Sequence, residues 1–258
     1  MQPAERFERM AQGPDEGVDV VRGALLIAAE QYPELDIEAC VGVLDGFAGM
    51  LRKRLRPDIG PADALRALNR YMFEELGFHG ATEDYYDPRN SFLNDVIARR
   101  TGIPITLAIV YMAIGRGIGL KLEGVSFPGH FLVRCPVHVG TAILDPYHRG
   151  ISLGIPDLQK RLAPMQGKAP TPAEVAALLA PANAREILAR LLRNLRGIYM
   201  HYRQLQQALA ATSRILALSP GNAHEWRERA QLHLALECFR AALTDFQSYL
   251  ALAPDAED

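Results

Sequence analysis

Residues 90–146 read NSFLNDVIARRTGIPITLAIVYMAIGRGIGLKLEGVSFPGHFLVRCPVHVGTAILDP, and the fold is decided there. Gly102 to Gly115 is an apolar run broken by Arg116, too short to span a bilayer, and it predicts a buried core helix. Pro104 fits the first helical position, and Gly117 and Gly119 punctuate the end. Beyond Leu120 the period changes to alternation. Lys121 to Phe127, Phe131 to Cys135 and Thr141 to Leu144 then predict short strands, the last two joined in a hairpin around residues 136–140. A register that sets His130 opposite Asp145 places His130, Leu132 and Arg134 on one face. Phe131, Val133 and Cys135 fall on the other.

An imidazole facing a carboxylate is the orienting half of a nucleophilic site, because the carboxylate fixes the ring tautomer for general-base chemistry. A thiol nucleophile would sit at the helix N-terminus, where the dipole lowers its pKa. This helix opens Gly102-Ile103-Pro104-Ile105-Thr106, and no cysteine lies between Cys40 and Cys135. Thr106 and Ser91 offer hydroxyls, but both are also explained as helix-start residues. His130 and Asp145 have a second reading, as a structural hydrogen bond.

Upstream, the pattern is helical. Val18 to Gln31 has a broad apolar face stopped by Pro33. Asp36 is positioned to cap a helix from Ile37 to about Leu55, and Ala62 to Leu76 follows Pro61 and ends at Gly77. Asp84 to Arg89 is a turn segment, after which Ser91 is placed to cap Phe92 to Arg100. Downstream, residues 163–184 are rich in Pro and Ala and read as a linker with one short helix. The C-terminal segment repeats itself. ILALSP (215–220) matches YLALAP (249–254) at an offset of 34, and the same offset pairs Ala208-Leu209 with Ala242-Leu243 and Ile198 with Leu232. That period predicts helix pairs of the tetratricopeptide type, two in number and therefore packed on the main domain or on a partner.

Charge bounds the function. With net charge −2 and pI about 6.4 the 258-residue chain has no basic field for a nucleic acid. Three scattered cysteines point to a reducing compartment. The N-terminus, MQPAERFERM, lacks the apolar stretch of a signal peptide. A cytoplasmic protein is expected, with neither membrane nor nucleic-acid partners.

Other candidates are weaker. His130, Cys135, His138, Asp145 and His148 invite a zinc reading, but their spacing is not that of CxxC or HxxxH sites. His138 is expected at the turn tip and His148 in a loop pointing elsewhere, so no metal and no cofactor are expected. Arg99 and Arg100, beside Asn90, can hold an anion or form a structural ion pair. Tyr85, Tyr86 and Asp87 can line a groove or cover the helices. Gly115, Gly117 and Gly119 close a helix and follow no strand, so they make no dinucleotide loop. Trp226 falls on the first helix of the second repeat, as packing before ligand surface.

Five segments together resemble the SirB-type transglutaminase-like proteins with C-terminal tetratricopeptide repeats. They are YYDPRNSFLNDV (85–96), RRTGIPITL (99–107), FPGHFLVR (127–134), LDPY (144–147) and the tail from Leu191. The resemblance implies an α+β, papain-like core. The expected division is a transglutaminase-like domain at 1–162, a linker at 163–184 and a repeat module at 185–258. Aligning the family's helix on GRGIGL puts its cysteine position at Pro104, with Ile105 and Thr106 next. The leading expectation is therefore a non-catalytic protein retaining His130 and Asp145, with Asn90, Thr106 and Arg100 as binding residues. Its protein or peptide partner would use the repeats and the groove near His130. The alternative is a cysteine-independent hydrolase or acyltransferase using that pair.

Overall fold

Local signals build the helices largely as read. The computed structural model describes residues 2–166 and 170–256. An opening helix, α1 (Pro3–Gln12), precedes those expected. Asp19 caps α2 (Val20–Ala29) by accepting from the Val21 and Arg22 N–H groups, and Asp36 caps α3 (Ile37–Arg52) through Ala39. Pro61 starts α4 (Pro61–Asn69), which loosens into a π-turn over Arg70–Glu75 before Gly77 takes φ +75°.

Two strands too short to show any period follow. They are β1 (His79–Gly80) and β2 (Thr101–Gly102), parallel to each other and flanking α5 (Leu93–Arg99). The cap of α5 is Phe92, not Ser91 as expected. Ser91 is buried with no hydrogen-bond partner for its hydroxyl among the described residues.

The central helix α6 (Pro104–Gly117) is buried on nearly every side, as its composition demands. A four-stranded antiparallel sheet follows in simple order. Its strands are β3 (Glu123–Val125), β4 (Leu132–Pro136), β5 (Thr141–Asp145) and β6 (Ile151–Ser152). Val133 pairs with Leu144 and Cys135 with Ala142, so Leu132, not His130, is the position opposite Asp145. The expected register is corrected by two residues. His130 precedes β4 in a turn, its N–H on the Phe127 carbonyl at 3.0 Å. A two-residue shift preserves the pleat's parity, so the side chains stay on the expected faces.

Phe131, Val133, Cys135 and Leu144 join the main apolar core with α6. Leu132 and Ile143 face a second, smaller core closed by Leu158 and Leu162 of α7 (Ile155–Gln166) and Val175 of α8 (Pro172–Ala177). Helix α7 thus runs past residue 162 into the segment expected to be linker. Residues 167–169 of that segment, and positions 1, 257 and 258, lie outside the described residues.

Four helices complete the chain, α9 (Ala184–His201), α10 (Leu205–Leu218), α11 (Ala223–Ala235) and α12 (Phe239–Leu252). Helix α12 begins and ends 34 residues after α10. Arg203 and Glu237, also 34 apart, take the same left-handed conformation before each. Ile187, Leu188, Leu191, Leu192 and Leu195 of α9 lie in the main core with α2 and α6, so the first repeat is built into the domain. Among the described residues no helix is long and apolar enough to cross a membrane.

Candidate functional site

Asp145 ends β5 fully buried, and four donors reach it. His130 Nε2 lies 2.8 Å from Oδ1, with the His148 backbone N–H 3.3 Å from the same oxygen. His148 Nδ1 and Arg161 Nη1 each lie 2.7 Å from Oδ2. A carboxylate offers about four lone-pair sites, and all of them are used. Burial alone would raise the Asp145 pKa. The hydrogen bonds from His130, His148 and Arg161 outweigh it and hold the carboxyl well below the usual carboxylate range.

Because a carboxylate only accepts, His130 Nε2 carries the ring hydrogen, and in the neutral ring Nδ1 holds the lone pair. Gly129, at φ +67°, turns the chain into His130. Tyr147 stands edge-on to the imidazole with centroids 5.9 Å apart, and His148 stacks on it at 5.8 Å. The Tyr147 hydroxyl donates to the Ala81 carbonyl at 2.5 Å, and its ring lies over Gly80, where a Cβ would come within 2.6 Å. Tyr111 donates to Asn69 Oδ1, and Asn69 donates to the Gly150 carbonyl, tying the turn after Asp145 to the helices.

The N-terminus of α6 presents no nucleophile to this arrangement. Ile105 and Thr106 are buried. The Thr106 hydroxyl accepts from the Ile103 N–H at 3.0 Å and donates to the Asn90 carbonyl at 2.9 Å, a helix-start role that consumes it. Cys135 lies on the opposite face of the sheet, where burial pushes its thiol pKa up.

The expected binding residues separate. Asn90 accepts from Arg99 Nη1 at 3.1 Å and donates to the Asp84 carbonyl at 2.7 Å, beside a small polar pocket of about 350 Å³. Arg100 does not join them. The left-handed turn at φ 60° sends its guanidinium over the rings of Phe47 and Phe78, 4.7 and 4.8 Å from their centroids. His148 is the other correction. Instead of pointing away, it shares Asp145 with His130, and the three offer ligand atoms within 4.8 Å of one another. A cation there would face Arg161 and compete for a carboxylate already fully engaged, so the donor set fits an ion-pair hub better than a metal site.

Residues 38–193 match the family model described as "Transglutaminase-like superfamily", and residues 195–258 match that described as "Tetratricopeptide repeat". The chain belongs to the SirB-type transglutaminase-like family. A UPF0162 protein of Xylella fastidiosa (strain Temecula1) is 38% identical over 254 residues, covering 98% of this chain and 90% of that protein. A UPF0162 protein of Pseudomonas aeruginosa is 34% identical over 232 residues, 90% and 84% of the two chains. Human F-box only protein 21 is 32% identical over 162 residues, 57% of this chain and 24% of that protein. No solved structure matches the chain.

In this transglutaminase-like protein sequence reasoning missed Arg161. It shares a stripe of α7 with Leu158 and Leu162, which are buried, and a cation on a core-facing stripe needs an acid. That spacing was the available signal.

Proposed function

We propose that this transglutaminase-like chain is a non-catalytic interaction protein whose groove beside His130 and whose repeats engage a protein or peptide partner. One observation carries the reading. The helix start that would supply a nucleophile offers only a buried Ile105 and a Thr106 hydroxyl consumed by backbone bonds. Asp145 is also shared with Arg161 and His148, so it does not serve His130 alone. General-base help alone is worth on the order of 10²–10⁴-fold, too little for amide cleavage at a useful rate. The repeats supply surface. Phe239, Leu243 and Leu250 are exposed along α12, beside a cleft of about 860 Å³ that includes Arg229 and His233. Three free thiols fit a cytoplasmic setting.

The test is amine incorporation into a glutamine peptide, and hydrolysis of that peptide, by the full chain and by His130→Ala. No turnover by either protein is the expected result. A second reading, a cysteine-independent hydrolase or acyltransferase, draws on His130 Nδ1 having no hydrogen bond among the described residues while Nε2 is held at 2.8 Å by Asp145. Turnover that disappears in His130→Ala would establish that reading instead.

A further inference from the structure

Stacked repeats bury one helix against the next, and α10 and α12 differ in how far this is achieved. Helix α10 packs on α9 and on α11, whereas among the described residues only α11 packs extensively on α12. Four positions carry the difference. Leu205, Leu209, Thr212 and Leu216 of α10 correspond, 34 residues on, to Phe239, Leu243, Phe246 and Leu250 of α12. In α10, Thr212 and Leu216 are buried and Leu205 and Leu209 half-buried. In α12, Phe239 is 64% exposed, Leu243 59% and Leu250 50%, with Phe246 half-buried. Steps of four, three and four residues keep these side chains on one stripe of the helix. The end of a repeat array is ordinarily polar on its outer face, and this one is not. The stripe is a helix seat without its helix.

Charge and residue order say which helix fits. Arg240 is exposed beside the stripe, and its guanidinium has no partner among the described residues. Helix α12 has no acid in its first turn and no base in its last, and Asp255 follows its end. Its one other charged residue, Asp245, is turned inward onto Arg229 at 2.7 and 2.8 Å. A second α12 laid antiparallel complements this pattern. The positive end of each helix dipole then meets the negative end of the other, and Arg240 approaches the opposite last turn and Asp255. A parallel pair would instead set Arg240 against Arg240. The order Phe-Leu-Phe-Leu also matches its own reverse. Phe239 meets Leu250 and Leu243 meets Phe246, each contact made twice about a twofold axis, as an isologous interface requires.

We infer that α12 seats the α12 of a second copy of this chain, in an antiparallel twofold pair closed through Phe239, Leu243, Phe246 and Leu250. At 1.5 Å of rise per residue the seam is about 17 Å long. A patch of roughly 500 Å² on each copy is large for a monomer's surface. Two of them bury about 1,000 Å², near the lower bound for a specific interface, so the pair is a reversible one. A Kd on the order of 10 µM is expected. The inference rests on the repeats being an interaction surface and names the partner of α12.

The test is sedimentation velocity of the full-length protein from about 1 to about 200 µM, a range that brackets that Kd. The mass should rise from 28.5 kDa toward twice that value and stop there. Leu243→Glu and Leu243→Lys alter an exposed side chain, so both should keep the parent's melting temperature, and each alone should stay monomeric. Their equimolar mixture should dimerise, because opposite charges then face each other across the axis. Arg240→Glu, outside the apolar seam, should weaken the parent pair about tenfold by setting an acid against the opposite helix end. A monomer at every concentration, a mass that climbs past two copies, or a dimer that Leu243→Glu leaves intact overturns the inference. A monomer would do so while the groove reading stands. Amide turnover lost in His130→Ala would end the non-catalytic reading and leave the pair standing.

Discussion

Arg161 reaches Asp145 at the oxygen His130 does not use, its Nη1 2.7 Å from Oδ2 while His130 Nε2 is 2.8 Å from Oδ1. The sheet and α7 therefore meet at one buried carboxylate. Asp145→Asn is expected to destabilise the chain by about 3–5 kcal/mol at neutral pH, the usual cost of breaking a buried pair from one side. The pH dependence has a definite sign. The Asp145 pKa is held below its unfolded value of about 4, so its contribution is complete above that pH. It is lost as the solution is acidified toward the folded pKa. Urea midpoints for the two proteins should converge between pH 5 and pH 2, approximate bounds set by that linkage. A gap that stays constant would contradict the hub.

The Thr106 hydroxyl closes the start of α6. Thr106→Val preserves shape and removes the bonds to Ile103 and Asn90, leaving the Ile103 N–H with only its longer 3.3 Å bond to the Asn90 carbonyl. The expected loss is about 0.5–1.5 kcal/mol by chemical denaturation. No change would mean that the hydroxyl is free for other work, and the nucleophile question would reopen.

Thiol labelling at neutral pH separates packing from catalysis. Cys238 is exposed, Cys40 half-buried and Cys135 buried with its pKa raised by burial. Mass spectrometry after brief alkylation should find label on Cys238 first and on Cys135 only after denaturant is added. Rapid labelling of Cys135 that His130→Ala slows would place that thiol in the site after all.

Glu225 is fully buried on α11 and is gripped by Arg193 and Arg196 of α9. Glu225→Ala leaves two cations facing an empty place. It should cost about 3–5 kcal/mol and raise amide exchange in α11 and α12 above that in α2 and α6. Uniform protection loss across the chain would show that the repeats are not a separate unfolding unit.

The elements legible beforehand are those with a period. The apolar run 102–115, the alternation of the hairpin and the 34-residue offset each reflect a geometry that repeats along the chain. The two-residue strands β1, β2 and β6 carry no period to see. Arg99 and Arg100 are adjacent and alike in composition. A single left-handed residue divides them, one toward Asn90 and the other onto Phe47 and Phe78. At the site, the pair His130 and Asp145 was visible because strand parity survives a two-residue register shift. His148 and Arg161 were not, since their approach depends on the tight turn after β5 and on α7 closing over the sheet.

Helix α9 is at once the first helix of the repeats and a wall of the main core. Cutting the chain before it would strip Ile187, Leu188, Leu191, Leu192 and Leu195 from their burial, each worth roughly 1.5–3 kcal/mol. A shortened domain ending near residue 184 should therefore be insoluble, not merely unable to bind. The same helix grips Glu225 of the second repeat through Arg193 and Arg196. A load taken up by the outer helices is thus handed by one stiff rod straight into the main core.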